Sequence, residues 1–203
     1  MELDEVYHSI FMDDRWDHLR HPGISLVKGY GNSTDPIAMI VGAAPSAQDD
    51  LKRRPFTGHK GEIIRQLMGL SGLRARWVGK ITGLPVIPNC SEGIPPNAFL
   101  TNLVKYRLPG SRQPNGREIS MAMDSLRAEW KAIGRPKLIV TLGVAGYAFA
   151  KNDFTPKPGD WKALLDGKTF VWFQCDPIVA TDEEDQEIIE GQWESMGKWL
   201  RSS

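Results

Sequence analysis

Three short segments of the chain combine residue types suited to chemistry. The first is Gly42-Ala43-Ala44-Pro45-Ser46. Its small residues let a ligand approach the backbone closely, and Pro45 stiffens the turn. Alone, the same run also fits an ordinary tight turn between a strand and a helix. The second is Arg53-Arg54-Pro55-Phe56-Thr57-Gly58-His59-Lys60-Gly61. An aromatic ring among cations suits stacking on a base beside phosphates, although a lone Phe is equally at home in a core. His59 is of a type that serves as general base or stabilises charge, or else caps a helix or touches a phosphate. The third is Thr101-Asn102, followed by Lys105, Tyr106 and Arg107. An Asn amide offers a donor and acceptors and matches the edge of a nucleobase, or it closes a turn.

Elements that position such segments can be read from periodicity. Residues 37–42, 98–104, 137–142 and 170–173 are apolar runs, the pattern of strands buried on both faces of a parallel sheet. Between them lie amphipathic stretches. Ile63, Ile64, Leu67 and Leu70 share one helical face, as do Ile119, Met123, Leu126 and Trp130, and Ile188, Ile189, Trp193, Met196 and Leu200. Residues 5–19 read as a short helix, and residues 152–167 as a loop rich in Pro, Gly and Lys. The alternation implies an α/β fold, a three-layer αβα sandwich around a central, mainly parallel four-stranded sheet. It forms one domain over 1–203, with 1–36 as an N-terminal helical and loop extension. Ligands bind beyond the carboxyl ends of such strands. Chemistry is therefore expected in residues 42–50, 101–107, 143–145 and 174–178.

Composition narrows the classes. The 203 residues carry 25 Lys and Arg against 25 Asp and Glu, and 41% are hydrophobic. No apolar run approaches the ~18 residues of a membrane span, and the acidic first residues do not read as a signal peptide. Cys90 and Cys175 are the only cysteines, without paired spacing. This argues against a disulfide framework and for an intracellular, cytoplasmic compartment. No zinc or four-cysteine iron–sulfur site can be built from these cysteines and the four histidines. The absence of a GxxxxGK[ST] phosphate loop disfavours an unrelated nucleotide-processing enzyme.

In order and spacing, these segments resemble the uracil-DNA glycosylase superfamily, with most similarity to the bacterial and archaeal families numbered four and five. Those carry a Gly-Glu-Ala-Pro-Gly or Gly-Leu-Ala-Pro-Ala turn after the first strand. A Gly-Arg-Pro-Phe-(Val/Thr)-Gly loop, a Thr-Asn-(Val)-Val-Lys strand end, a Pro-Lys-(hydrophobic)-Leu-Gly strand and a His-Pro-Ser loop follow. This chain has residues 42–46, 54–58, 101–105 and 136–143 in their places, and Asp176-Pro177-Ile178 for the last loop. The resemblance spans residues 37–200 and implies a DNA glycosylase that flips a pyrimidine out of the stack. Phe56 would stack on the base, Asn102 would read its edge, and Gly42, Ala43, Ala44, Pro45 and Ser46 would hold sugar and water. It further implies hydrolysis of the N-glycosidic bond by a monomer whose partner is DNA. No Lys is placed as an obvious Schiff-base nucleophile, so no lyase activity is expected, and no metal or organic cofactor is implied.

The departures carry their own expectations. Tyr106 and Met121 stand where family four has cysteines, so no iron–sulfur cluster is expected. Ala43 replaces the turn carboxylate, and His59 follows the Phe-Thr-Gly loop where family five has Asp. Asp176 replaces a His that donates to the leaving base. An ionised carboxylate cannot donate, so Asp176 either activates water near an oxocarbenium-like centre or accepts from an exocyclic amine. His59 and Asp176, with the backbone of Ala43 and Ala44, are thus the catalytic candidates. Small side chains leave room at C5 for a modified pyrimidine, such as the hydroxymethylated or glucosylated cytosine of phage DNA. That would make the protein an anti-phage factor rather than a repair enzyme acting on uracil. A catalytically inactive DNA- or nucleotide-binding member is the alternative.

Net neutrality conceals a split. Between residues 51 and 117 there are 12 Lys and Arg but only Glu62 and Glu92, whereas residues 176–194 hold eight acids and no base. Arg53, Arg54, Lys60, Lys105, Arg107 and Arg112 are the expected phosphate contacts.

Overall fold

Four largely apolar pentapeptides form the centre of the sheet because their side chains, all but the half-buried Phe170, are withdrawn from water, alternately to one face and the other. In the computed structural model they are β2 (Ala38–Gly42), β3 (Ala98–Asn102), β4 (Leu138–Leu142) and β6 (Phe170–Gln174). The structure describes residues 2–73, 97–149, 157–164, 168–174 and 183–202. β3, β2, β4 and β6 pair in parallel, with Gly42 opposite Asn102 and Leu142 opposite Gln174.

The sheet is wider than the four strands expected from the sequence. β1 (Tyr30–Gly31) pairs antiparallel with β3, and β5 (Trp161–Ala163) antiparallel with β6, giving the order β1-β3-β2-β4-β6-β5. Neither edge strand carries a hydrophobic run. β1 has two residues, and β5 lies in the stretch read as a loop, its exposed side chains typical of an edge.

Helices cover both faces. On one, Met39, Val41, Phe99, Ile139, Val171 and Phe173 pack against α1 (Leu3–Met12) and α4 (Gly116–Ala132). On the other, Ile40, Leu100, Val140 and Trp172 pack against α3 (His59–Ser71) and α5 (Glu183–Ser202). The N-terminal helix ends at Met12, where Asp13 turns to cap a 3-10 turn over Asp14–Leu19. Val6, Tyr7, Ile10, Trp16 and Leu19 are all buried, so this segment completes one core layer. A short helix missed in the sequence, α2 (Ala47–Lys52), follows the first turn. No described helix is long and apolar enough to cross a membrane.

Candidate active site

The turn after β2 is fixed from three sides. Leu103 and Val104 donate backbone N–H groups to the carbonyls of Gly42 and Ala43, at 2.8 and 3.0 Å, extending the β2–β3 pairing past the strand ends. Pro45 restricts the chain, and Ser46 caps α2 in a reciprocal box with Asp49.

Asp49 does more than cap. Its Oδ2 accepts from Ser46 N and Oγ at 2.9 and 2.8 Å, and its Oδ1 from Thr57 N and Oγ1 at 2.7 and 2.9 Å. One buried carboxylate thus ties the turn at 42–46 to the Phe56 loop. Sequence reading overlooked it, although the Ser-x-x-Asp spacing of a capping box was visible. Asp50, beside it, accepts from Ser25 N at 2.7 Å and lies 3.7 Å from the Arg107 guanidinium.

The Phe56 loop is bent by left-handed backbone at Arg53 and Phe56, with φ of 52° and 56°. For an aromatic residue this is strained backbone, costing about 1–3 kcal/mol, of the kind found at functional sites. The strain is held by the Asp49 clamp and by Arg65, whose Nη1 donates to Phe56 O at 2.8 Å. Two glycines make the fit possible. A Cβ on Gly61 would collide with the Phe56 carbonyl, and one on Gly42 would lie 2.5 Å from Asn102 Oδ1 and 2.9 Å from Phe56 Cζ.

These elements enclose a cleft of about 280 Å³, whose lining includes Ala43, Ala44, Phe56, His59, Asn102 and Arg112. Pro45, Ser46 and Lys60 also face it, and the missing side chain of Gly42 lets Phe56 and Asn102 pack closely against the strand end. The volume lies just below the usual ligand-pocket range of about 300–1,000 Å³. Asn102 is 3% exposed, and its Nδ2 has no hydrogen-bond partner. A buried amide donor left unpaired costs about 1–3 kcal/mol, so a ligand acceptor in the cleft would recover that loss.

The cations divide. Lys105 is sealed in the interior, not presented to a phosphate. Its Nζ lies 2.7 Å from Glu129 Oε2 and donates to Thr101 Oγ1 and Asn102 O. Burial pulls its pKa down while Glu129 opposes the shift. The expected phosphate contact is therefore corrected to an internal tether of the strand end bearing Asn102; its aliphatic stem passes through the core. Arg112 makes a bidentate pair with Glu118 at 2.8 and 2.7 Å, at the cleft edge. Arg112 first of all, helped by Asn115 N and His18 against the opposing effect of burial, holds the Glu118 carboxyl at about 2. Arg54 lies 4.5 Å over the Tyr30 ring. Arg53 and His59 are exposed, with His59 Nδ1 3.9 Å from Glu62 Oε2. Asp176, Pro177 and Ile178, Arg74, Arg76 and Lys80, and both cysteines lie outside the described residues.

Tyr106 and Met121 do not fit an iron–sulfur cluster, which needs thiolates. Both side chains are buried in the core beneath α4, and the Tyr106 ring sits 6.4 Å from that of Trp16. Among the described residues no three His, Cys, Asp or Glu side chains gather as a metal site.

Comparison with known proteins agrees with this layout. The family model of the uracil DNA glycosylase superfamily matches residues 28–196. A type-4 uracil-DNA glycosylase of Archaeoglobus fulgidus is 30% identical over 152 residues, 75% of this chain and 65% of that protein. One from Saccharolobus solfataricus is 33% identical over 148 residues, 72% of this chain and 57% of its own length. One from Thermotoga maritima is 28% identical over 125 residues, 62% of this chain and 54% of the relative. The chain thus spans little more than half to two thirds of the relatives it matches. With the strand-end cleft, Phe56 and Asn102 packed against Gly42 and a family match across most of its length, the chain belongs to the uracil DNA glycosylase superfamily.

Proposed function

We propose that the protein is a monofunctional DNA glycosylase that binds a flipped pyrimidine in the cleft between residues 42–46, Phe56 and Asn102. It hydrolyses the N-glycosidic bond and leaves an abasic site. The observation that carries the reading is the buried, unpartnered Asn102 Nδ2 facing a base-sized cleft walled by an aromatic ring. Curated relatives bearing the name uracil-DNA glycosylase support the reaction class.

The residues divide the work. Flipping costs a few kcal/mol of unstacking, offset by contact with Phe56 and by hydrogen bonding to Asn102. The bond breaks between C1′ and the base nitrogen; its electron pair leaves with the base, and water adds to the oxocarbenium-like carbon. Asp49 is not the base for that water, because four donors already occupy its two oxygens. That leaves His59, on the cleft rim, and Asp176. Arg53, Arg54, Lys60, Arg107 and Arg112 supply positive charge around the opening.

Ala43, Ala44 and Ser46 line the cleft with small side chains, so a C5 substituent is tolerated. That room permits, without requiring, a modified pyrimidine, so the substrate we propose is hydroxymethylated or glucosylated cytosine as in phage DNA, with uracil as its rival. The protein acts in the cytoplasm as a monomer, in anti-phage defence in the first case and in base-excision repair in the second. Incubation with duplexes carrying each base, followed by hot alkali, tests this. Strand scission with one of them identifies the substrate. Retained binding without scission of any would leave the inactive DNA-binding alternative.

A further inference from the structure

A second amide occupies a position like that of Asn102. Gln174 ends β6 as Asn102 ends β3, and the strand register sets Asn102, Gly42, Leu142 and Gln174 in one row. Alternation along each strand places all four on the face covered by α3 and α5, the face of Ile40, Leu100, Val140 and Trp172. Gln174 is 4% exposed, yet neither its Nε2 nor its Oε1 has a hydrogen-bond partner. A buried amide left unsatisfied at both ends is destabilising and calls for an explanation.

The surroundings repeat the pattern. Trp172, two residues earlier on the same face, leaves Nε1 unpartnered, and Gln192 of α5 leaves Oε1 unpartnered. Gln192 lies beside Gly159, whose N–H donates to Phe173 O at 2.7 Å. Two donors and two acceptors therefore remain open around the carboxyl end of β6. A hydroxyl, which donates and accepts at one atom, satisfies such a set. The backbone of internal DNA offers none, because its sugar and phosphate oxygens only accept. Asn102 and Gln174 stand three strands apart, roughly 14 Å at the ~4.8 Å strand spacing. A base ring read by Asn102 leaves that distance to something the ring carries.

We infer that Gln174, helped by Trp172 and Gln192, binds a hydroxyl-bearing substituent of the flipped pyrimidine and so determines specificity for modified over unmodified bases. This inference rests on the proposal that the cleft takes a flipped nucleotide.

The side-chain amide signals of ¹⁵N-labelled protein test both separately. The Gln174 signal is assigned by its loss in Gln174→Leu and the Asn102 signal by its loss in Asn102→Asp. Duplexes would carry uracil, 5-hydroxymethylcytosine, its glucosylated form, or only ordinary bases. The expected result is a shift of Gln174 with the hydroxyl-bearing duplexes alone, while Asn102 shifts with every duplex whose base enters the cleft. Gln174→Leu should also lower the ratio of kcat/KM for the substituted base over uracil at least tenfold. If Asn102 shifts and Gln174 does not, or Gln174 shifts equally with every duplex, the inference falls and the cleft assignment stands. If neither shifts, both fall.

Discussion

Glu129 accepts hydrogen bonds in the interior from Tyr7, Thr101 and Lys105. The tyrosine phenol is raised in pKa by burial and by that carboxylate, so it stays a neutral donor. Lys105 in turn holds Thr101 Oγ1 and the Asn102 carbonyl. Removing the ammonium leaves Glu129 as an uncompensated buried charge. Lys105→Met should therefore cost about 3–5 kcal/mol in urea unfolding, and adding Glu129→Met should recover much of it. A phosphate contact would behave otherwise. Its loss lowers the salt slope of DNA binding by about one, whereas Lys105→Met should leave that slope unchanged. Glu118 gives a pH prediction. Its carboxyl titrates at about 2 in the fold against an ordinary 4.5, so its pairing stabilises the protein fully above 4.5. The contribution is lost as pH falls toward 2. Glu118→Gln should be less stable at neutral pH and lose less stability than the parent over that acid window. The basic composition of residues 51–117 was legible in the sequence. Which cations are paired was not, because the partners Glu118 and Glu129 lie downstream on α4.

At the scale of elements, the site is an agreement between a strand end, two turns and a helix start. The four parallel strands and three long helices follow from hydrophobic periodicity, since burial on two faces and on one face leaves distinct patterns. The edge strands leave none, because a two-residue strand and an exposed strand need no apolar run. The Asp49 clamp was hidden for another reason: half of its bonds reach Thr57, a contact made by tertiary folding. Gly42 expresses the dependence of the cleft on close packing. Gly42→Ala would set a methyl 2.5 Å from Asn102 Oδ1 and against the Phe56 ring. Displacement by about 1 Å is expected to lower kcat/KM by about 10²-fold, with near-native circular dichroism. A fully active variant would show that Asn102 and Phe56 need not hold their observed positions.

For the whole molecule, charge and fold divide the labour. The acids of α5 flank the outer surface of one helical layer, whereas Arg112 and Lys60 border the cleft at the carboxyl edge of the sheet. A neutral chain can thus present a local cationic rim to DNA without the non-specific affinity of a strongly basic one. The family resemblance, carried by four short motifs, agrees with the superfamily match over residues 28–196. What single residues contribute depended on burial and pairing, as Lys105 illustrates. The central claim is that this cleft releases a flipped pyrimidine by hydrolysis. Mass spectrometry of the products tests it most directly, using duplexes with uracil or modified cytosine and both the parent protein and Asn102→Ala. The account predicts a free base in equal amount to an abasic site, with release reduced about 10²-fold or more in the variant. Bound DNA that yields no free base, or a variant as active as the parent, would contradict it.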